Sequence, residues 1–386
     1  MQEIKRIAII EPVGSHGGMN YYDYGLAYGL GANDLEVLYF SCNETEVRYF
    51  KNVTLIRSFR NLWHEKGLKK LYSFFKGYST AFKDSKQNGI KIIHLHFFDL
   101  GMLNLIVLIL SKFYAQKLIV TLHDVDPLNA LYGKSSIIIE TLCYKLINGI
   151  IVHNNSSKTE ILKKRKIKVP LRVIPHGNYL LFVNKLPLPV EKAELNLLFF
   201  GHIKDVKGLD ILIEAMGKVI IHKPNIKLTI AGRPWKTEIS KYIKLIQKYK
   251  LQNNIETHFR FIEDKEIDDF FMNADILVLP YKRVYQSGVL LLSMSYGRAA
   301  IVSNLEPFTE IVRDSETAFI FKSENSDDLA SCILNISFDK ILTITSNANQ
   351  IIEKQFDWKK IGSLTKDFYL SLLWKHEFQT QADTFA

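Results

Sequence analysis

Residues 197–216, LLFFGHIKDVKGLDILIEAM, combine a strand, a polar loop and a helix with side chains suited to binding an anion. An apolar run over 197–200 stops at Gly201, passes a polar loop carrying His202, Lys204 and Lys207, and resumes after Gly208. There Leu209, Leu212, Ile213 and Met216 recur at helical spacing, so the pattern predicts a strand, a phosphate-sized loop and a helix. Unpaired amides at a helix N-terminus, the helix dipole and one or two lysines all favour negative charge. An ordinary strand-to-helix turn has the same outline. Three other places carry candidate chemistry. Gly14, Gly17 and Gly18 fall between the first strand and a helix from about Asn20, where backbone can approach a ligand closely or simply turn. His123, Asp124 and Asp126 follow an apolar strand, and in open α/β sheets ligands bind at the carboxyl ends of strands. His123 is suited to position a hydroxyl or donate to a phosphate or sugar oxygen, and either aspartate to act as a base. The same residue types also end strands and cap helices. Gly232 and Arg233 stand at the end of the strand over 226–231.

Alternating strands and helices must position these groups. In the first half, strands are expected over 4–10, 35–40, 90–95, 117–122 and 149–153, with helices over 135–148 and 157–166. The second half repeats the alternation, with strands over 197–200, 226–231, 275–279 and in AAIVSN, and helices over 239–250, 264–272 and in SGVLLLSMSYG. Two parallel-sheet α/β domains follow, joined by a linker over 186–193 that holds Pro187 and Pro189. The glycines of the first loop do not spell GxGxxG, and no acidic residue ends the strand over 35–40, which disfavours a nicotinamide-dependent dehydrogenase. His94 and His96 share one strand face, but no third ligand accompanies them and no metal is expected.

A length of 386 residues with 47% hydrophobic and 23% charged residues fits two globular domains. Three scattered cysteines, Cys42, Cys143 and Cys332, form neither a disulfide framework nor a zinc pattern, and MQEIKRIAII has no secretory core. A cytoplasmic location is expected. The most apolar window, 102–110, is about half the length that spans a bilayer. The formal charge of +10 calls for an anionic partner, and without a zinc-finger, basic-zipper or RNP signature nucleic acid is not expected. Over 60–86, Leu68, Leu71, Tyr72, Phe75, Tyr78 and Phe82 recur at helical spacing, with six lysines largely off that stripe. Such a segment either packs on the sheet with a solvated lysine face or makes a peripheral contact with an acidic inner-membrane surface.

In order and spacing, FGHIKDVKGLDILIEA, LTIAG, ADILVLP, MSYGRAAIVS and TEIVRDSETAFIF resemble the C-terminal half of glycosyltransferase family 4, of the GT-B fold. GSHGG, TLHD and VIPHG fall in the corresponding places of the first half, and FDW near Phe356 resembles the family's closing helix. The resemblance implies two Rossmann-like parallel-sheet domains facing each other across a deep cleft. An acceptor-side domain would cover 1–186, with the C-terminal helix at about 365–386 packing back on it, and a nucleotide-sugar domain 187–364. It implies a hexosyltransferase using a UDP- or GDP-sugar as substrate, with no cofactor or metal, and a saccharide or lipid-linked saccharide acceptor in bacterial surface-polysaccharide biosynthesis.

The departing nucleoside diphosphate carries negative charge that fixed cations and amides must stabilise. By resemblance Lys207 matches the lysine on the diphosphate, Gly17 and Gly18 the loop near the donor phosphate, and His123 the histidine near the transferred sugar. Ser287, Gly288 and Val289 match the turn whose amides face sugar and phosphate, Glu310 matches a family glutamate, and backbone near Ile262 contacts the base. The helix N-terminus offers a second reading of Glu310, as a carboxylate on the dipole. Gly14 and Arg233 complete the candidate donor contacts. The family's usual arginine is His202 here, with Lys204 able to supply the charge, and its paired glutamates fall on Val284 and Leu292. PYKRVYQSGVL resembles a subgroup with Gln286 and Ser287 in place of that acidic pair. Two alternatives stand beside transfer: a sugar-nucleotide epimerase or hydrolase, and a non-catalytic GT-B partner subunit.

Overall fold

The protein is described here from a computed structural model covering residues 4–14, 18–60, 62, 64–114, 116–125, 134–165, 167–184, 186–191 and 194–383. The chain divides into two units, Met1–Gly177 with Phe356–Ala386, and Asn178–Gln355.

In the first unit the order is β1 (Arg6–Ile10), α1 (Met19–Gly31), β2 (Glu36–Cys42), β3 (Val53–Phe59), α2 (Gly67–Gln87), β4 (Ile92–Phe97), α3 (Met102–Lys112), β5 (Lys117–Leu122), α4 (Lys134–Leu146), β6 (Gly149–Val152), α5 (Asn155–Lys164) and β7 (Leu171–Val173). The strands form one sheet in the order β3-β2-β1-β4-β5-β6-β7, every pair parallel. β1, β5 and β6 read as largely apolar runs, and β4 is interrupted only by the buried His94 and His96, because helices cover both faces of a parallel sheet. The strand order reverses between β1 and β4, whose registers meet at Ile10 and Leu95. Right-handed crossovers put α1 on one face and α2 to α5 on the other. β3, which the sequence reading passed over, is an edge strand, and its mixed exposure leaves no clean alternation.

The second unit runs β8 (Asn196–Phe200), α6 (Leu209–His222), β9 (Lys227–Ala231), α7 (Ile239–Lys248), β10 (Ile255–His258), α8 (Asp264–Asn273), β11 (Ile276–Leu279), α9 (Gly288–Tyr296), β12 (Ala299–Ser303), α10 (Glu306–Thr309), β13 (Phe319–Phe321), α11 (Ser326–Leu334) and α12 (Phe338–Gln355). Its six-stranded parallel sheet has the order β10-β9-β8-β11-β12-β13 and reverses between β8 and β11. Leu209, Leu212, Ile213 and Met216, the stripe that predicts α6, are all fully buried in this unit's core with Leu197 and Phe199 of β8.

The closing helix α13 (Trp358–Asp383) returns to the first unit and packs along α1. The divisions fall after Gly177 and Gln355, where the sequence reading put them after 186 and 364. Hydrogen bonding explains the shift. Asn178 Nδ2 donates to the Ile352 carbonyl at 3.0 Å and Tyr179 N to Ser295 Oγ at 3.0 Å, so the chain is tied to the second unit well before Pro187. Trp358, fully buried, fills the space beside Gly25 and Gly177 and fixes the return to the first unit. Among the described residues no single helix is long and apolar enough to cross a membrane.

Candidate active site

In each sheet the strand order reverses once, and the loops at the carboxyl ends of strands there form the natural ligand crevice. In the second unit these loops follow β8 and β11. The loop after β8 is clamped on both sides: Ile203 N donates to the Arg233 carbonyl at 2.9 Å, Trp235 N to the Ile203 carbonyl at 2.9 Å, and Lys282 N to the Val206 carbonyl at 2.8 Å. A 3-10 turn, Asp205–Lys207, then leads to Gly208, the N-cap of α6. Gly208 has φ +65, and a Cβ there would lie 1.9 Å from the Pro280 carbonyl oxygen, so glycine is required twice over.

Lys207 reaches back from this turn. Its Nζ donates to the Tyr281 hydroxyl at 2.9 Å, and a Cβ built on Gly201 would lie 3.6 Å from that Nζ and 3.4 Å from Val289 Cγ2. Tyr281 is itself buried and packs its ring against Phe308. His202 lies among Lys207, Lys204 and Arg233; its burial first, then those three positive charges, push its pKa down to about 4, so the ring is neutral at pH 7. Trp235 sets its ring against His202, edge to face, at 5.9 Å. The acid within this turn, Asp205, is engaged by Lys241 and by Thr237 Oγ1 at 2.5 Å. The cluster therefore keeps its net positive charge. Ser287 caps α9 by accepting from Leu290 N at 3.3 Å, which leaves the amides of Gly288 and Val289 without an intrahelical acceptor. Gly288 admits the Tyr179 hydroxyl, which would lie 2.6 Å from an added Cβ. Gln286 Oε1 is buried with no hydrogen-bond partner. Fixed cations, free amides and an unpaired acceptor at one sheet edge suit a ligand carrying phosphates and hydroxyls.

In the first unit, successive neighbouring strands end in histidine: His96 in β4, His123 after β5, His153 after β6 and His176 after β7. Ring centroids stand 5.6 Å apart for His96 and His123, 5.0 Å for His123 and His153, and 5.7 Å for His153 and His176. Tyr22 of α1 sets its ring against all four at 4.9–5.3 Å. Burial pushes His153 down to about 4 and His176 to about 3, and holds His96 and His123 well below the usual range, so the row is neutral.

Neutrality fixes the tautomers. The Ile174 carbonyl can only accept, so the His153 Nδ1 that lies 3.1 Å from it carries the proton and His153 Nε2 is an acceptor. His123 Nδ1, 3.2 Å from that Nε2, must then donate. The remaining nitrogen, His123 Nε2, is a buried acceptor with no protein partner. Of the two roles expected for His123, positioning a hydroxyl fits this lone pair, whereas donation to a phosphate does not.

Beside the row lies a buried carboxyl pair that sequence reasoning missed. Glu11 accepts from Val13 N at 2.8 Å and Gly14 N at 2.7 Å, which shapes the glycine loop. Asp23 accepts from the Tyr39 hydroxyl at 2.9 Å, and its Oδ1 stands 3.2 Å from His96 Nδ1 without hydrogen-bond geometry. Burial raises Glu11 to about 7; burial and the Glu11 charge hold Asp23 well above the carboxylate range, so the two do not both ionise at neutral pH.

The remaining candidates fall as follows. A Cβ on Gly14 would meet Thr45 and Cys42, so its bareness serves packing, while Gly18 has open space above it and N-caps α1. Gly17 and Asp126 lie outside the described residues; Asp124 follows His123 and is half-buried. Ile262 is buried in the loop after β10, where Arg260 is paired with Glu266 at 2.6 Å. Glu310 is exposed just past the C-terminus of α10, so the reading as a helix N-terminal carboxylate does not hold. Val284 and Leu292 are half-buried. A cavity of about 320 Å³ between Leu195, Pro224 and Phe338 lies at the opposite, amino edge of the second sheet. Among the described residues no three His, Cys, Asp or Glu side chains are grouped to hold a metal ion.

Comparison with known proteins agrees with this architecture. Residues 185–356 match the family model described as glycosyl transferases group 1, and residues 16–178 the one described as Glycosyltransferase Family 4. The chain is 27% identical over 180 residues to the GDP-mannose:glycolipid 4-beta-D-mannosyltransferase of Xanthomonas campestris pv. campestris, a match covering 46% of this chain and 49% of that protein. It thus spans about half the length of such curated relatives. Sucrose-phosphate synthase from Thermosynechococcus elongatus superposes with a TM-score of 0.76 at 19% identity, over 96% of this chain and 99% of that one. Anabaena Alr3699/HepE, solved with UDP and glucose, gives 0.71 at 17% identity, over 95% and 100%. The two parallel sheets and these superpositions define a GT-B fold. With both family models matched in order, the chain belongs to the glycosyltransferase family 4-like proteins.

Proposed function

We propose that the protein transfers a hexose from a UDP- or GDP-sugar to a saccharide or lipid-linked saccharide acceptor, in surface-polysaccharide assembly at the cytoplasmic face of the membrane, without a metal ion. The observation that carries this reading is the clamped loop after β8, which gathers Lys207, Lys204 and Arg233 round a neutral His202 beside the free amides of α9. As the bond to the sugar breaks, charge builds on the leaving diphosphate, and cations already in place lower that barrier without reorganising. Lys207 is the principal cation and Gln286 Oε1 accepts from a donor hydroxyl. In the first unit His123 Nε2 accepts from a sugar hydroxyl, and Asp124 is the base if the reaction inverts. The relative from Xanthomonas, whose name specifies a GDP-mannose donor and a glycolipid acceptor, supports a nucleotide sugar and a lipid-linked acceptor.

The test is release of nucleoside diphosphate from UDP-glucose and GDP-mannose, with and without a lipid-linked saccharide. Acceptor-dependent release supports transfer. Consumption of donor without acceptor marks an epimerase or hydrolase instead, and no consumption in either case marks a non-catalytic subunit.

A further inference from the structure

The helices that follow β3, β4 and β5 all begin at the carboxyl edge of the first sheet, on the same face, and α2 touches α3 as α3 touches α4. The first two turns of α2 extend past its packing: its buried residues begin only at Gly77, while residues 66–72 are all exposed. Leu68 is 85% and Tyr72 65% exposed there. α3 adds a stripe at helical spacing, Met102, Leu103, Ile106, Ile109 and Phe113, each at least 40% exposed. Apolar surface of this extent on neighbouring helices marks a docking face. Phe98, half exposed at the start of the loop before α3, tilts its ring against His123 at 5.3 Å and joins this face to the histidine row.

Charge decides what covers it. Lys66, Lys69 and Lys70 are exposed on the same two turns as Leu68, and no acidic residue occurs between Lys66 and Lys83 or within α3. Glu65, which pairs with Lys69 at 3.5 Å, has a largely buried side chain. In α4, Glu140 is held by Arg165 at 2.5 Å. A second copy docking through an isologous contact would oppose these lysines to themselves. An anionic bilayer meets both features: headgroups pair with the lysines while the apolar side chains enter the acyl boundary.

We propose that the N-terminal turns of α2 and the exposed stripe of α3 form an interfacial membrane-docking face for anionic phospholipid, which brings the carboxyl edge of the first sheet to the bilayer surface. The proposal rests on the lipid-linked-acceptor reading only for its purpose. Vesicle binding needs no sugar transfer, so either can fail alone.

The test is co-sedimentation of the purified protein with vesicles of phosphatidylcholine, with and without phosphatidylglycerol. The protein is expected to pellet only with the anionic vesicles and to be released by high salt. Replacing Lys66, Lys69 and Lys70 together by glutamine should weaken partitioning by about tenfold or more. Leu103→Gln with Ile106→Gln should do likewise, because each buried apolar side chain contributes to interfacial binding. These positions are exposed, so thermal unfolding should remain that of the wild type. Absence of binding to anionic vesicles, or variants that pellet like the wild type, overturns the proposal. So does a wild-type dimer that the apolar variants disperse, since that assigns the face to a second copy.

Discussion

Lys207 Nζ donates to the Tyr281 hydroxyl across 2.9 Å and so ties the loop after β8 to the loop after β11 at the point where the sheet order reverses. The lysine is held in place before any ligand arrives, because Tyr281 is buried against Phe308. A cation fixed this way acts mainly on charge that develops as the leaving group departs. Lys207→Ala should therefore lower kcat by about two to three orders of magnitude, in the range seen when one preorganised donor is removed. Tyr281→Phe keeps the cation and loses only its tether, so its kcat should stay within about tenfold of wild type. Steady-state kinetics on the two variants checks the order; a Tyr281 effect larger than the Lys207 effect would refute it.

The turn that presents Lys207 depends on Gly208. A side chain there must adopt left-handed backbone and overlap the Pro280 carbonyl at 1.9 Å. Gly208→Ala should cost about 2 kcal/mol or more, combining roughly 1–2 kcal/mol of backbone strain with the displacement of the loop after β11. Urea unfolding measures this directly, and a loss under about half a kcal/mol would show that the two loops are not locked together.

The histidine row makes the first unit acid-labile. His94 is pushed to about 3, His153 to about 4 and His176 to about 3, with His96 and His123 lower than usual as well, all by burial first. In the unfolded chain each titrates near 6.5, so below that pH the unfolded state takes up protons that the folded state refuses. This contribution is complete above about pH 7 and is lost as the pH falls through 6.5, by up to about 1.4 kcal/mol per pH unit for each histidine. Glu11, raised to about 7 from 4.5, has the opposite sign: its contribution is full below 4.5 and disappears as the pH rises through 7. Asp23 follows Glu11 in sign, but the histidines outnumber the pair. Between pH 7 and 5 the protection of backbone amides, taken relative to their intrinsic exchange rates, should fall more in the first unit, which holds the five depressed histidines, than in the second, where His202 is held low. An equal fall in both would contradict the burial argument.

The tautomer chain predicts that His123 is protonated on Nδ1 and carries its lone pair on Nε2. Nitrogen-15 spectra should show this form, unchanged by lowering the pH from 8 to about 6. An Nε2–H tautomer would remove the proposed hydroxyl acceptor.

Much of this was legible in the residues themselves. The apolar run over 197–200 and the stripe Leu209, Leu212, Ile213, Met216 became β8 and α6 because each pattern matches the period of its element. Lys207, His202 and Arg233 do converge, since the loop after β8 carries the first two and the neighbouring strand β9 ends just before the third. The carboxyl pair Glu11 and Asp23 was not legible, because the partners come from a strand end and a helix and only folding reveals their shared burial. His153 and His176 carried a signal that reading each strand singly missed: IIHLHF, TLHD, IIVH and VIPH come in succession, and parallel neighbours align such endings at one edge. Boundaries slipped where the deciding bond is distant in sequence, as with Tyr179 N and Ser295 Oγ.

The most direct test of the central claim, that the loop after β8 holds a nucleoside diphosphate, is thermal unfolding of the wild type and of Lys207→Ala with UDP, GDP or ADP in metal-free buffer. At about a hundred times its dissociation constant a ligand adds roughly 2.7 kcal/mol, which raises Tm by a few degrees. The account predicts such a shift with UDP or GDP in the wild type and its loss in the variant. A shift of equal size in Lys207→Ala, or none with any diphosphate, would contradict it.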